Sequence, residues 1–214
     1  MSEPPPLAQQ LPPQLPLQLP PQLPPQSQLL RLRPTMLSDL AFVAAVESDQ
    51  RNLPFISPWE RTQHEGALRF PDYRHFIVEL SADNADAGTR DGFVILQGCR
   101  NPHKSVELKR LVLQTKGQGA GRRCVRLLKQ MAFRDLHAHR FWLDVKSLNT
   151  RALALYASEG FVEEGRLREC VRETGRESVR SHHDGADGYD SLVVMSLLDR
   201  EYQARVALGL ELGH

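Results

Sequence analysis

The chain has 214 residues, with 27 Lys+Arg against 26 Asp+Glu, 41% hydrophobic and 25% charged residues. A formal charge of +1 supplies no bulk positive field, which argues against a charge-driven nucleic-acid binder. No apolar run approaches the roughly 18–20 residues that span a bilayer, and the N-terminus lacks the basic n-region of a signal peptide.

Proline is unevenly placed: 11 of 15 lie at or before Pro34. Residues 4–25 read PPPLAQQLPPQLPLQLPPQLPP. Proline removes backbone donors and fixes φ, so neither helix nor central strand is expected there. Residues 1–28 are therefore expected to be a disordered, polyproline-II-rich arm. It reads as a docking ligand for a proline-recognising groove or as a solvated tail, and the lack of flanking basic residues favours the tail. Residues 29–214 then form one domain, large enough to bury a core. Cys99, Cys124 and Cys170 are odd in number and widely spaced. That fits reduced thiols in a cytoplasmic protein better than a disulfide framework.

Leu30 to Arg33 alternates as a short strand. Leu37 to Ser48 reads as a helix of loose apolar period. Residues 52–64, NLPFISPWERTQH, are irregular and aromatic, and a helix is expected from Glu65 to Phe70. Strands follow at His75–Leu80, Gly92–Gly98 and Val106–Leu113. Next come Gly117, Gly119 and Gly121, and then Cys124, Leu127, Leu128, Met131 and Ala132 at helical spacing. Phe141–Val145 reads as a strand. Asn149 can cap a helix over Thr150–Ser158, which Gly160 can end. Strands are expected near Phe161–Arg168 and Leu192–Leu198, and a last helix from Asp199 to about Leu212. The pattern indicates a mixed α/β or α+β domain.

The glycine turn between a strand and a helix exposes backbone N–H groups at a positive helix end. Arg122 and Arg123 add full charges, which suits a pyrophosphate. The plainer reading is a tight turn before a helix with two solvated arginines. The dinucleotide fingerprint fails because Arg122 stands where its last glycine belongs. A nucleoside-triphosphate loop fails at Gly98–Ser105, where His103 replaces the second glycine. The acyl-coenzyme A loop, Gln/Arg-x-x-Gly-x-Gly/Ala, matches at Lys116-Gly117-Gln118-Gly119-Ala120-Gly121, with Lys116 for the usual Gln or Arg.

On that loop, the preceding VELKRLVL and the later NTRALALYASEGF, the chain resembles the GNAT superfamily of N-acetyltransferases over roughly Leu30 to Arg200. The second motif carries Asn149, Ala152 or Ala154, Tyr156, Gly160 and Phe161. The ending DGYDSLVVMSLLDREY is similar to the branch containing the ribosomal-protein alanine acetyltransferases. The resemblance implies a central, mostly antiparallel, twisted sheet of about six to seven strands, flanked by helices and splayed at the fourth strand. An independent sign agrees. Val106 and Leu108 share one apolar phase, Leu111 and Leu113 the other. A strand keeps period two, so the slip at Lys109–Arg110 is what a β-bulge produces.

The resemblance implies acetyl transfer from acetyl-CoA to a primary amine, on a protein N-terminus or a small molecule, by direct attack in a ternary complex. The partners expected are acetyl-CoA and the amine, without nucleic acid, membrane or metal, and a homodimer is left open. The alternative is a non-catalytic acyl-CoA sensor of the same fold. By resemblance, Tyr156 donates a proton to the departing thiolate, or else packs beside Leu153. Asn149 contacts the pantetheine or an ordered water, or is a plain N-cap. The Leu111 N–H is the oxyanion donor, and the backbone of Leu111, Val112 and Leu113 pairs with the pantetheine. Lys116, Gly117, Gln118, Gly119, Ala120, Gly121 and Arg122 hold the phosphates.

An amine must lose a proton before it attacks. Glu107 is the candidate base, or else a salt-bridge partner of Lys109 or Arg110; Asp144 is the alternate. Phe55, Ile56, Trp59 and His64 are expected at the acceptor wall, or in the core for the aromatics and in solvent for His64. The loop 174–190 is the other expected wall. His182, His183 and Asp184 invite a metal reading, which the flexible polar loop disfavours.

Overall fold

The computed structural model describes residues 29–81, 88–172 and 188–211. The expected arm, residues 1–28, and the histidine pair at 182–183 lie outside the described residues. The chain order is β1 (Leu29–Pro34), α1 (Leu40–Glu47), α2 (Arg61–Arg69), β2 (Arg74–Ser81), β3 (Thr89–Gln97), β4 (Ser105–Leu113), α3 (Ala120–Gln130), β5 (Arg140–Lys146), α4 (Thr150–Ser158), β6 (Val162–Arg172), β7 (Tyr189–Leu198) and α5 (Asp199–Ala207). Seven strands form one sheet in the order β1-β2-β3-β4-β5-β7-β6. Every neighbouring pair is antiparallel except β4 with β5. This is the sheet that the family resemblance implies.

The bulge lies where the apolar phase slips. On β3, Ile95 pairs with Arg110, but Leu96 pairs with Leu108, which leaves Lys109 as the extra residue. Val106 and Leu108 therefore face one side of the sheet, with Val78, Val94 and Leu96, beneath Cys124, Val125 and Leu128 of α3. Past the bulge, Val112 turns to the opposite side. There it packs with Ile77, Phe93 and Ile95 under Val43 and Val46 of α1. Phe93 and Val94 are fully buried, one on each face, and such a side chain stabilises the fold by about 1.5–3 kcal/mol.

The β4–β5 pairing is short. It joins Ser105–Glu107 to Arg140–Trp142; from Leu108 onward β4 has no partner on that side. The two strands part, and a slot opens between them.

Several boundaries move from the sequence expectation. The first helix divides into a 3-10 turn, Leu37–Asp39, and α1. Leu40, Val43, Val46 and Glu47 are its buried face, and half-buried Phe42 packs at the edge of the same core with the Arg90 guanidinium 4.7 Å from its ring centre. The helix expected from Glu65 begins at Arg61, because the Gln63 side chain accepts from the Glu60 N–H and closes the first turn. The helix α3 runs on into a π-helical stretch, Met131–Asp135. The last helix ends at Ala207, short of Leu212. Cys99, Cys124 and Cys170 are all free thiols. Among the described residues no helix is long and apolar enough to cross a membrane.

Candidate active site

A cavity of about 570 Å³ fills the slot. Leu111 and Val112 of β4, Gly119 and Gly121 of the glycine turn, and Asn149 and Tyr156 of the α4 region line it. Thus β4, the turn and α4, all indicated by sequence, converge on one space.

The turn begins under the control of Asp91. Its backbone carbonyl accepts from the Gln114 N–H at 2.6 Å, and its carboxylate accepts from the Thr115 N–H at 3.0 Å. Gly117 and Gly119 both take left-handed backbone, φ +82° and +77°, which side chains rarely adopt. Gly119 is the N-cap of α3, and no side chain caps the helix. The first amides of a helix have no partner within it. They are therefore left as donors at its positive end, on the wall of the slot, and an anion fits there. The cations near the turn are engaged elsewhere. Arg122 bonds to Ser158 Oγ at 3.1 Å and pairs with Glu159 at 3.2 Å. Lys116 Nζ donates to Asn52 Oδ1 at 2.8 Å. Gln118 and Ala120 do not line the cavity; Gln118 gives its carbonyl to Arg123, and Ala120 is buried.

Asn149 accepts from the Ala152 N–H at 3.2 Å. It caps α4 and also lines the cavity. Tyr156 is 8% exposed and packs edge-on against Phe161. No hydrogen bond engages its hydroxyl among the described residues. Burial first, then electrostatic interaction with Cys124 and Asp144, pushes its pKa upward. The phenol is therefore held in its proton-bearing form.

Glu107 lies on the face opposite Val106 and Leu108 and is buried. Its carboxylate accepts from Lys109 Nζ at 3.0 Å. Both readings of Glu107 therefore remain physically available, because burial raises its pKa against the pull of Lys109, and Asp144 adds to the rise. Asp144 acts electrostatically on Glu107, Arg110 and Tyr156 alike.

The irregular segment after α1 is held to both sides of the slot. Asn52 receives Lys116, and the Ser57 carbonyl receives the Arg110 guanidinium of β4. The Pro54 carbonyl receives Lys146 of β5 at 3.2 Å. Phe55 and Ile56 line the cavity between these ties. Trp59 and His64 do not line it. Trp59 lies under Arg110, 5.4 Å from its ring centre. His64 corrects the sequence expectation: it belongs to α2, not to a loop, and it is 1% exposed. Its Nε2 meets Glu47 Oε2 at 3.1 Å and its Nδ1 meets His75 Nε2 at 3.1 Å, while His75 Nδ1 meets Thr35 Oγ1 at 2.9 Å. With Glu47 Oε2 as the acceptor at one end, the hydrogen bonds run one way along this chain, from Thr35 to His75, from His75 to His64 and from His64 to Glu47.

Sequence reading missed Asn52, Arg151 and Lys146. Only Arg151, two residues past the Asn149 cap, carried a local signal. Residues 173–187, most of the other expected acceptor wall, lie outside the described residues. Among the described residues no group of three or more His, Cys, Asp or Glu side chains could hold a metal ion.

A parallel strand pair that parts after three residues, a bulge on the fourth strand and a glycine turn opening a helix beside the gap define an acyl-coenzyme A transferase fold. Residues 30–162 match the acetyltransferase (GNAT) domain, and the chain belongs to that family. It is an acetyl-CoA-dependent N-acetyltransferase. The chain is similar to spermidine N(1)-acetyltransferase of Escherichia coli, at 24% identity over 149 residues, covering 64% of this chain and 75% of that one. Among solved structures it resembles spermidine N-acetyltransferase from Vibrio cholerae in complex with CoA and spermine. There the TM-score is 0.66 at 24% identity, covering 81% of this chain and 98% of that one. Mutant forms of the spermidine/spermine enzyme from Vibrio cholerae align with a TM-score of 0.65 at 25% identity, covering 83% and 98%.

Proposed function

We propose that the acceptor is a small polyamine-like primary amine, acetylated by direct attack while acetyl-CoA is bound. The observation that carries this reading is the pair of carboxylates on the adjoining strands β4 and β5, Glu107 and Asp144, which act on each other electrostatically, although neither lines the cavity. A cationic amine is drawn to such a pair, and a carboxylate of raised pKa can take its proton. The spermidine acetyltransferase relatives support the same class of acceptor. The similarity of the ending DGYDSLVVMSLLDREY to the ribosomal-protein alanine branch favours a protein N-terminus instead, but it has no counterpart among these relatives.

In this reading Glu107 removes the amine proton. The Leu111 N–H, past the bulge, donates to the carbonyl oxygen as it gains charge. Tyr156 gives its proton to the departing thiolate. Acetyl-CoA supplies the activated thioester. Gly117, Gly119 and Gly121 hold its phosphates through backbone amides, and Leu111, Val112, Leu113 and Asn149 hold the arm. Phe55 covers the acceptor side. Neither Cys99 nor Cys124 stands as a nucleophile: burial pushes the Cys124 thiol up to about 12 and the Cys99 thiol up to about 11, and a thiol, unlike a thiolate, attacks poorly; Cys170 does not line the cavity. The free thiols support a cytoplasmic setting, where they stay reduced. Residues 1–28 are an accessory arm in this reading, and deleting them leaves turnover unchanged.

The test is thiol release from acetyl-CoA with a panel of spermidine, spermine, amino acids and peptides beginning in alanine. Turnover with spermidine or spermine, and none with the alanine peptides, supports the proposal. The reverse pattern overturns it.

A further inference from the structure

Three basic side chains, from β4, the glycine turn and β5, reach one irregular segment. Arg110 holds the Ser57 carbonyl, Lys116 holds Asn52, and Lys146 holds the Pro54 carbonyl. The segment therefore bridges the two strands just where they lack backbone pairing with each other. Its ties differ in kind. Arg110 is fixed further by Glu47, 3.4 Å from its Nε, and by the Trp59 ring. Lys146 is buried. Lys116 is exposed, and its one hydrogen bond among the described residues goes to a neutral amide oxygen. Asn52 is buried and anchored by its own amide to the Val46 carbonyl at 2.8 Å.

We propose that Lys116 is a positioning residue that exchanges between Asn52 and a cofactor phosphate, so that cofactor binding unpins segment 51–57 from the glycine turn. This rests on the reading that the turn takes the pyrophosphate. The ammonium stands beside two like charges, Arg51 and Arg151. Arg51 is already paired with Asp49 at 2.6 Å, whereas Lys116, like Arg151, lines the cavity with no carboxylate partner among the described residues and gains from an arriving anion. A charged acceptor holds an ammonium more strongly than an amide does. Lys116 is exposed and lines the cavity beside Gly117 and Gly119, so its ammonium is within the space an arriving anion enters. Phe55 and Ile56, on the released segment, line the cavity. The exchange thus passes cofactor occupancy to the acceptor wall.

The test combines calorimetry with hydrogen exchange, using coenzyme A as the probe. The amides of Asn52, Leu53 and Phe55 close turns onto Asp49 and Asn52 carbonyls and report on the segment. In the unaltered protein, saturating coenzyme A should speed their exchange severalfold. In Lys116→Met they should exchange fast without coenzyme A and show no response to it, while affinity falls about tenfold, the weight of one hydrogen bond to a charged group. Asn52→Leu frees Lys116 in advance and should bind coenzyme A severalfold more tightly. Unchanged or slowed exchange in the unaltered protein overturns the proposal, as does an Asn52 variant that folds and binds no more tightly. Failure of the unaltered protein to bind coenzyme A overturns the cofactor placement as well, and the titration heat tells the two failures apart.

Discussion

Gly92 and Val112 stand closer than any side chain permits: a methyl group at Gly92 would lie 2.0 Å from the Val112 carbonyl oxygen and 2.8 Å from Leu113 Cα. The half of β4 past the bulge thus leans onto β3, away from β5, and the lean widens the slot. Gly92→Ala must push Val112 and Leu113 toward the cavity that they line. Stability should fall by about 1–3 kcal/mol, as in an overpacked core. Coenzyme A affinity should fall with it. Thermal melting and calorimetry on the variant check both.

Tyr156→Phe keeps the ring packing against Phe161 and removes only the proton donor. Turnover should fall about 10²–10⁴-fold, while coenzyme A binds with nearly unchanged affinity and melting shifts little. Single-turnover transfer to spermidine beside a cofactor titration decides it. If turnover survives, the acid is another group or water.

Glu107 gives a pH prediction with a definite sign. Burial raises its pKa, and in the proposed mechanism the ionised form is the base. Activity should fall as pH drops through that raised value, on an acid limb above the usual carboxylate range. Glu107→Gln should remove the limb and lower the rate by about 10²-fold or more. Stability runs the opposite way: a raised carboxyl favours folding at low pH, and that contribution is lost as pH rises through the folded value. The Gln variant should therefore melt no earlier than the parent at neutral pH.

Gly119→Glu should abolish coenzyme A binding. It puts a side chain on left-handed backbone and a negative charge at the free end of α3. Calorimetry on the folded variant with unchanged affinity would remove the turn from the cofactor site.

His75 predicts acid sensitivity. Burial first, then the neighbouring His64, lowers its pKa to about 3. The unfolded chain takes up this proton near pH 6.5 and the folded chain only near 3. Stability from the neutral ring is thus full above about 6.5 and is lost as pH falls toward 3, by roughly 3–5 kcal/mol. Denaturant melts at pH 7 and pH 4 should show a smaller difference for His75→Gln than for the parent.

Much of this was legible in the sequence because it is written locally. Helix α4 runs from Thr150 to Ser158, bounded by the Asn149 cap and Gly160 as read. The bulge at Lys109 follows from two apolar pairs out of phase. What could not be read joins distant residues. Asn52 and Lys116 are 64 residues apart, and Lys146 and Pro54 are 92 apart. The setting of His64 depends on Glu47 and His75, and WERTQH alone gives no hint of either. The Phe42 side chain blurred the period of α1 because it is only half-buried, packed at the edge of the core with an arginine 48 positions away over its ring.

The short β4–β5 junction also governs how the molecule comes apart. Four strands lie on one side of it and three on the other, joined by backbone pairing at Ser105–Glu107 and, just before it, by the Lys104 carbonyl, which accepts from the His139 and Arg140 N–H groups. Side chains beneath α3, and the segment after α1 that Arg110 and Lys146 both hold, supply the remaining cohesion. The seam is therefore the weakest line in the sheet, where sub-global opening starts before the rest unfolds. A coenzyme arm lying in the gap would serve as the missing strand and rivet the halves together. Occupied enzyme should then resist proteolysis as one unit, with a gain that grows with the logarithm of cofactor concentration.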